Sequence, residues 1–193
     1  MTVERHPDNR VWDNPFQTCS CTGACGHSGA DHTSYATPYL AVLQYWRPSW
    51  VFEWGPGLNT YMALASGAEV WSVEHNARWM PVIWSDKHHP LAIDLGAARY
   101  TAIARQVASG LATPRIQPPN IWFVDSGHRE RILELIASTP SPRPAIVCLH
   151  DAQRERYHAA LSRFRYVRFL NRGFAVASNS RGALEIQRQG ATA

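Results

Sequence analysis

The chain has 193 residues, of which 45% are hydrophobic, 11% aromatic and 18% charged. This length and apolar content suffice for one well-buried core and are too small for two comfortable domains. The composition excludes an intrinsically disordered chain, and no run of about 18 apolar residues suggests a membrane span. The N-terminal stretch MTVERHPDNRVWDNPF has no apolar signal-peptide core. The sequence therefore predicts a soluble, cytoplasmic protein with no membrane partner.

The formal net charge is +4, and all of the 19 basic residues are Arg except Lys87. The Arg residues are scattered and are densest between Arg129 and Arg172. This distribution is typical of the solvated faces of helices and gives at most a weak attraction for an anionic partner. Because no recognition motif accompanies the charge, no nucleic-acid partner is expected.

Residues 1–32 are rich in Pro, Asn, Gly, Cys, Ser and His without helical or strand periodicity, which predicts an irregular arm. The arm contains four side chains of the kind that zinc binds, namely Cys19, Cys21, Cys25 and His27. Their spacing lacks the usual C-x2-C knuckle, and no second half follows. Free thiols, kept reduced in the cytosol, are the favoured interpretation, and a structural metal is the alternative.

From Thr33 onward, short apolar segments alternate with helical ones. A helix is expected from Tyr35 to Tyr45, capped by Thr33 or Ser34. The segments that follow predict a strand at WVFEW, a helix at TYMALASG, a strand at EVWSVEHN and a helix at ARWMPVIWSD. Next come a candidate third strand at LAI and a helix at AARYTAIARQVASG.

The second half of the chain continues the alternation. NIWFVDSG and AIVCLHD are predicted strands, and HRERILELIAST and DAQRERYHAALSRF are predicted helices. RYVRFL and FAVASNS are two final strands whose tight turn at Asn171–Gly173 predicts antiparallel pairing. Residues 33–182 are thus expected to form one α/β domain, with a Rossmann-like, mostly parallel sheet, helices on both faces and a C-terminal antiparallel strand pair. Residues 183–193 are expected to be a flexible tail.

A glycine-rich turn, VFEWGPGLNT, ends the first predicted strand, and in parallel sheets ligands bind beyond this end of the strands. Gly55 and Gly57 allow a sharp turn and the close approach of a ligand. A dinucleotide site would have a third glycine where Thr60 stands and an apolar residue where Glu53 stands. An acid there suits the ammonium of an amino-acid portion of a ligand. The next strand ends in Glu74, where a carboxylate can accept both hydroxyls of a ribose.

Four segments in this order, EWGPGLNT, VWSVEHNARW, FVDSGHRERILELI and IVCLHDAQRERY, resemble the class I S-adenosylmethionine-dependent methyltransferases. The resemblance covers roughly residues 35 to 180. It implies S-adenosylmethionine as the cofactor and O- or N-methylation of a small-molecule or peptide substrate. It also implies that Glu53, Gly55 and Gly57 hold the methionine part, that Glu74 holds the ribose and that His75 flanks the adenine. Asp94 is a candidate for the acid of the third strand, and the predicted cofactor-binding set is completed by Trp54, Thr60 and Asp125.

Asp125, His150 and Asp151 follow two other predicted strands and should face the same crevice as Glu53. Methyl transfer depends mainly on aligning the acceptor, and a base assists when the acceptor is a hydroxyl. His150 is the candidate base, with its ring held by a neighbouring carboxylate. Alternatively, Asp125 and Asp151 hold a divalent cation that binds paired oxygens of the substrate. The metal-free site is favoured, because related enzymes with a metal there typically have one more acid.

Structural interpretations accompany these assignments. Asp151 suits the N-cap of the helix that it precedes, and Cys148 suits the core. Most of the tryptophans on or beside the predicted sheet are expected in the core, with Trp54 as the one that lines the cofactor pocket instead; they are Trp50, Trp54, Trp71, Trp79, Trp84 and Trp122.

Two other function classes stay open. One is a non-catalytic binding or assembly protein that retains the methyltransferase fold and uses residues 1–32 as a contact segment. The other is a nicotinamide-dependent oxidoreductase, which Glu53 and the missing third glycine disfavour. The sequence defines neither the methyl acceptor nor the oligomeric state.

Overall fold

A computed structural model describes residues 35–74, 79–92, 102–103, 120–139 and 145–180. Its helices with both ends in these ranges are α1 (Ala36–Trp46), α2 (Leu58–Ala65), α3 (Arg129–Ser138) and α4 (His158–Leu161). Its strands are β1 (Trp50–Trp54), β2 (Glu69–Glu74), β3 (His88–Ala92), β4 (Ile121–Val124), β5 (Ile146–His150), β6 (Tyr166–Asn171) and β7 (Phe174–Ser178).

The strands form one seven-stranded sheet in the order β3-β2-β1-β4-β5-β7-β6. The first five strands along the chain pair in parallel, and β7 is antiparallel to both β5 and β6. The order reverses beside β1, because the chain moves outward to β2 and β3 on one side and returns to β4 on the other. Ligands of open α/β sheets bind at such a reversal, beyond the carboxyl ends of the strands.

Both faces of the central sheet are covered, which explains the uninterrupted apolar runs of β1, β4 and β5. Every residue of these three strands is buried. On one face Trp54 and Trp122 stack with ring centroids 5.4 Å apart, in a cluster that also contains Ile132 and Leu133 of α3. On the other face the sheet packs against α1 and α2. The buried sheet therefore fixes the strand ends from which the site is built.

The predicted fold class is confirmed, including the antiparallel C-terminal pair. The first helix begins at Ala36, one position after the expected start. The helix TYMALASG is present as α2, and Gly67, with φ of +92°, follows its last turn as the left-handed terminator that helices favour.

The helix predicted for ARWMPVIWSD is wrong over the described residues, because residues 80–85 are not helical. Pro81 explains the difference, since it lacks a backbone N–H and disfavours helical geometry at the residue before it. Two of the six tryptophans near the sheet, most of which are expected in the core, lie outside it. Trp79 is 60% exposed and Trp84 is 87% exposed.

The long helix predicted for DAQRERYHAALSRF is replaced by a turn, a short 3-10 segment (Glu155–Tyr157) and the four-residue α4. Asp151 adopts a left-handed conformation with φ of +60°, so a continuous helix cannot begin there. The residue that precedes the 3-10 segment is Arg154, and the predicted N-cap role of Asp151 is therefore wrong.

Several predictions fall outside the described residues. They concern the arm with Cys19, Cys21, Cys25 and His27, the adenine-flanking His75, the acid Asp94, most of the helix AARYTAIARQVASG and the tail of residues 183–193. In the part of the chain that the structure describes, no helix has the length and apolar character needed to cross a bilayer.

Candidate active site

The glycine loop that follows β1 is fastened to both neighbouring strands. The N–H of Gly55 donates to the carbonyl oxygen of Val73 at 3.1 Å, and the N–H of Asp125 donates to that of Trp54 at 2.8 Å. Gly55 has a φ of +81°, and a Cβ added to it would lie 2.1 Å from the carbonyl oxygen of Asp125. The loop can adopt this path only because position 55 has no side chain.

Glu53 lies near the end of β1, just before this loop, and is fully buried. Its side chain has no exposed surface, and its Oε1 accepts hydrogen bonds from the hydroxyls of Thr60 and Ser72, each at 2.5 Å. Its Oε2 accepts a hydrogen bond from Nδ2 of Asn59 at 2.7 Å. All three donors belong to the protein itself, and two of them, Asn59 and Thr60, lie in the segment that follows the glycines. The carboxylate therefore stabilises the loop from its buried side.

Thr60 and Asn59 transmit this support to the loop backbone. The N–H of Gly57 donates to Oγ1 of Thr60 at 2.9 Å, and Nδ2 of Asn59 donates to the carbonyl oxygen of Gly55 at 3.2 Å. The hydroxyl of Tyr35 lies 3.4 Å from Oδ1 of Asn59, to which it donates. Asn59 and Thr60 thus connect the loop backbone to Glu53. Thr60 stands where other glycine-rich loops have a third glycine.

The chain of hydrogen bonds continues beyond Glu53. Oγ of Ser72 lies 2.9 Å from Nε2 of His88, which is also buried. Burial raises the pKa of Glu53 to about 7, against the opposing effect of its three donors. Burial, together with His89, lowers the pKa of His88 to about 4. His88 is therefore neutral over the range in which Glu53 titrates.

Two other predicted cofactor residues differ in position, since Glu74 lies at a strand end and Trp54 lies in the core. Glu74 is the last residue of β2, beside the end of β1, and is buried to 6% exposure. Trp54 has no exposed surface and packs into the core against Trp122 and Phe52. Strand alternation accounts for this, since residue 54 lies on the same face of the sheet as residues 50 and 52.

Asp125 and His150 form a hydrogen-bonded dyad at the ends of β4 and β5. Nδ1 of His150 lies 3.0 Å from Oδ2 of Asp125, and Arg129 forms a short ion pair with the other carboxylate oxygen. Burial opposes the charge on Asp125, but His150 and Arg129 outweigh it and hold the pKa of that carboxyl well below its usual range. Burial likewise opposes the charge on His150, but Asp125 and then Asp151 raise the pKa of the imidazole.

Asp151 completes the group at this edge of the sheet. Its Oδ1 lies 3.9 Å from Nε2 of His150, too far for a direct hydrogen bond. Its Oδ2 is 2.8 Å from Nη2 of Arg154 and 3.5 Å from Nη2 of Arg129. Asp125, His150 and Asp151 lie together in space, as the sequence predicts, whereas the arginines that pair with them are not predicted.

Arg129 is the main residue that sequence reasoning missed. It is buried, and its Nη1 donates to the hydroxyl of Tyr157 at 2.8 Å while its guanidinium pairs with Asp125. The signal available in the sequence was the four-residue spacing between Asp125 and Arg129 across a strand end and a helix start.

Asp125, His150 and Asp151 are also of the residue types that can hold a metal ion. One ligand atom from each of Asp125, His150 and Asp151 lies within 4.8 Å of the others. Both carboxylates already pair with guanidinium groups, however, from Arg129 and Arg154. A cation held by these three groups would compete with the two ion pairs for the carboxylates.

No protein-family model matches the chain, and no curated protein matches it. Several solved structures share its architecture, including the following two. A methyltransferase-like protein from Silicibacter pomeroyi is 16% identical, with a TM-score of 0.54 over 75% of this chain and 85% of that one. The methyltransferase MycE of the mycinamycin biosynthetic pathway, solved with Mg, S-adenosylhomocysteine and mycinamycin VI, is 10% identical, with a TM-score of 0.52 over 77% of this chain and 46% of that one.

The strand order, the antiparallel β7 and these two likenesses define the fold. The chain has the fold of the class I S-adenosylmethionine-dependent methyltransferases.

Proposed function

We propose that the chain is an S-adenosylmethionine-dependent methyltransferase that acts on an oxygen or nitrogen of a small-molecule or peptide acceptor. One observation carries the proposal: at the reversal of strand order, the loop at Gly55 lies against the backbone of Asp125, whose side chain holds His150. A loop suited to the cofactor and a group suited to proton transfer thus meet at one strand edge.

The residues present fit the cofactor. The loop backbone at Gly55 and Gly57 would hold the methionine part, and Glu74, at the adjacent strand end, would accept hydrogen bonds from the ribose hydroxyls. Glu53 and Thr60 would act from behind the loop, by fixing its backbone. When bound, S-adenosylmethionine supplies an electrophilic methyl group.

His150 is suited to remove the proton of an acceptor hydroxyl. Because ionised Asp125 can only accept hydrogen bonds, Nδ1 of the neutral imidazole carries the proton and Nε2 carries the lone pair. A hydroxyl proton would pass to Nε2, and Asp125 would stabilise the resulting imidazolium. The dyad therefore assigns both the orientation and the tautomer of the base.

The charges around the dyad favour this mechanism over one with a metal. Arg129 and Arg154 compensate Asp125 and Asp151, which leaves no excess of negative charge for a divalent cation. Arg129 also fixes Asp125 from the side opposite His150, so that the carboxylate holds one position.

Calorimetric titration with S-adenosylmethionine and S-adenosylhomocysteine tests the proposal. Both ligands should bind, and Glu74→Ala should weaken binding by about 1.5 to 3 kcal/mol through loss of hydrogen bonds to a charged group. Glu69→Ala, at the other end of the same strand, is the matched control and should leave the affinity unchanged. No heat with either ligand at millimolar concentration would overturn the proposal.

A further inference from the structure

Three buried polar side chains form a line across neighbouring strands. Glu53 of β1 lies beside Ser72 of β2, its register partner, and Ser72 lies beside His88 of β3. The Ser72 hydroxyl is 2.5 Å from Oε1 of Glu53 and 2.9 Å from Nε2 of His88. His88 is the first residue of β3, and its imidazole ends this line of polar side chains.

The direction of these hydrogen bonds depends on the protonation of Glu53. An ionised carboxylate only accepts, so Ser72 must donate to Glu53 and Nε2–H of His88 must donate to Ser72. A protonated Glu53 must donate its own O–H. Asn59 contacts it through an NH2 group that cannot accept. Oγ1 of Thr60 accepts from the N–H of Gly57 and has a second lone pair, but among the described residues its own hydrogen has no side-chain acceptor other than Glu53 to turn to.

Ser72 is therefore the partner that can reverse. It can accept from protonated Glu53 if its own hydrogen turns to Nε2 of His88, and a neutral imidazole can carry its proton on Nδ1 to permit this. Of the two His88 tautomers, one satisfies ionised Glu53 and the other satisfies protonated Glu53. No hydrogen bond between Glu53 and the glycine loop has to break in either state.

We propose that His88 and Ser72 are positioning residues that form a reversible hydrogen-bond chain, through which Glu53 gains or loses a proton while the glycine loop keeps its shape. On ionisation, the Glu53 proton moves to Ser72, the Ser72 proton moves to Nε2 of His88, and Nδ1 of His88 releases one proton to solvent. Atoms and charge balance, and one proton leaves the protein.

The surrounding groups leave Glu53 as the member that titrates near neutrality. Asp125 stays ionised because its pKa is held well below the usual range. Tyr35, just before α1, and Tyr39 of α1 interact electrostatically with Glu53, and both phenols stay neutral because burial raises their pKa. His88 stays neutral above pH of about 4, its lowered pKa.

The hydrogen-bond chain also has a consequence for cofactor binding, and this consequence rests on the proposed function. An ionised Glu53 behind the loop favours a cation in front of it. S-adenosylmethionine carries a sulfonium charge that S-adenosylhomocysteine lacks. The ratio of the two affinities should therefore shift toward S-adenosylmethionine as Glu53 ionises, and protons should be released on binding.

The hydrogen-bond chain is tested first in the ligand-free protein. The infrared band of the protonated Glu53 carboxyl is followed against pH, and the midpoint of its disappearance is measured. Glu53→Gln assigns the band. Ser72→Ala removes both the donor to ionised Glu53 and the acceptor for protonated Glu53, and because His88 reaches Glu53 through Ser72, adding His88→Leu to Ser72→Ala should not move the midpoint further. His88→Leu leaves the Ser72 proton without an acceptor only when Glu53 is protonated, so it should move the midpoint down. His88→Gln, whose amide can donate or accept, should restore the wild-type midpoint.

The sign of the His88→Leu shift decides the outcome. A shift upward would mean that His88 is a fixed donor, and an unmoved midpoint would mean a packing role; each overturns the proposal. If His88→Leu does not fold, His88→Gln still decides, since a displaced midpoint in His88→Gln contradicts the hydrogen-bond chain. Calorimetry in buffers of different ionisation enthalpy then counts the released protons. If no ligand binds but the infrared band shifts as expected, the methyltransferase proposal is overturned and the proposed hydrogen-bond chain is not.

Discussion

Gly55 packs against the backbone of Asp125 so closely that a Cβ at position 55 would lie 2.1 Å from the Asp125 carbonyl oxygen. The same Asp125 receives His150 through its side chain. The loop after β1 and the dyad at the ends of β4 and β5 are therefore one connected structure, and a disturbance of the loop should reach the dyad.

Gly55→Ala should destabilise the protein by about 2 kcal/mol or more, because it adds a steric overlap and a side chain in a left-handed conformation. Gly127→Ala is the matched control, since a Cβ there meets nothing within 4 Å, and it should change stability by less than about 0.5 kcal/mol. Urea unfolding measures both free energies. Equal effects of the two substitutions would contradict the contact between the loop and Asp125.

Glu53→Gln should stabilise the protein relative to wild type, and more so at pH 8 than at pH 5. The pKa of Glu53 in the folded wild type is raised from 4.5 to about 7, so the folded state holds this proton more tightly than the unfolded state does. This contribution to stability is fully present below pH 4.5 and is lost as the pH rises through 7. The gain from Gln should therefore grow between these values, toward about 3 kcal/mol.

Chemical denaturation of wild type and variant at several pH values measures this difference. Glu134→Gln, on the half-exposed face of α3, is the control and should show no growth of the difference with pH. A Glu53→Gln difference that is independent of pH would show that Glu53 is ionised throughout the range.

Asp125→Asn should lower the pKa of His150 by about one unit or more, because it removes the neighbouring negative charge that raises it. The titration of the His150 ring protons by NMR measures the shift, with Asp86→Asn in an exposed turn as the control. If His150 acts as the base, the lower limb of the pH–rate profile should move to lower pH by the same amount. An unchanged His150 titration would contradict the dyad.

His150→Gln should lower turnover by roughly 10² to 10⁴ while leaving cofactor affinity almost unchanged, because the base acts on the acceptor. His158→Gln is the control, since His158 contacts the carbonyl oxygen of Ala152 and lies outside the dyad. Transfer of a labelled methyl group measures turnover, and calorimetry measures affinity. Unaltered turnover in His150→Gln would remove the catalytic role.

The sequence predicted the fold because the central strands are apolar on both faces, a pattern that a buried parallel sheet requires. It placed Asp125 and His150 together for the same reason, since the ends of parallel strands meet at one edge. It misplaced the helix around Pro81 and the cap at Asp151, where local backbone restrictions outweighed helical patterning.

The neighbours of Glu53 could not be predicted in the same way. Ser72 and His88 are distant from Glu53 in sequence and meet it only through the register of three strands. An acid before a glycine loop predicts a ligand contact, but its complete burial and its hydrogen bonds to Asn59, Thr60 and Ser72 are visible only in the structure.

A crystal structure of the protein with S-adenosylhomocysteine is the strongest test of the proposed cofactor site. We expect the ligand at the carboxyl ends of β1 and β2, with its ribose hydroxyls on the Glu74 carboxylate, its amino-acid part along the Gly55–Gly57 backbone, and Glu53 still bonded to Thr60 and Ser72. A ligand bound elsewhere, or one bound at this edge without contact to Glu74 or the loop backbone, would contradict it.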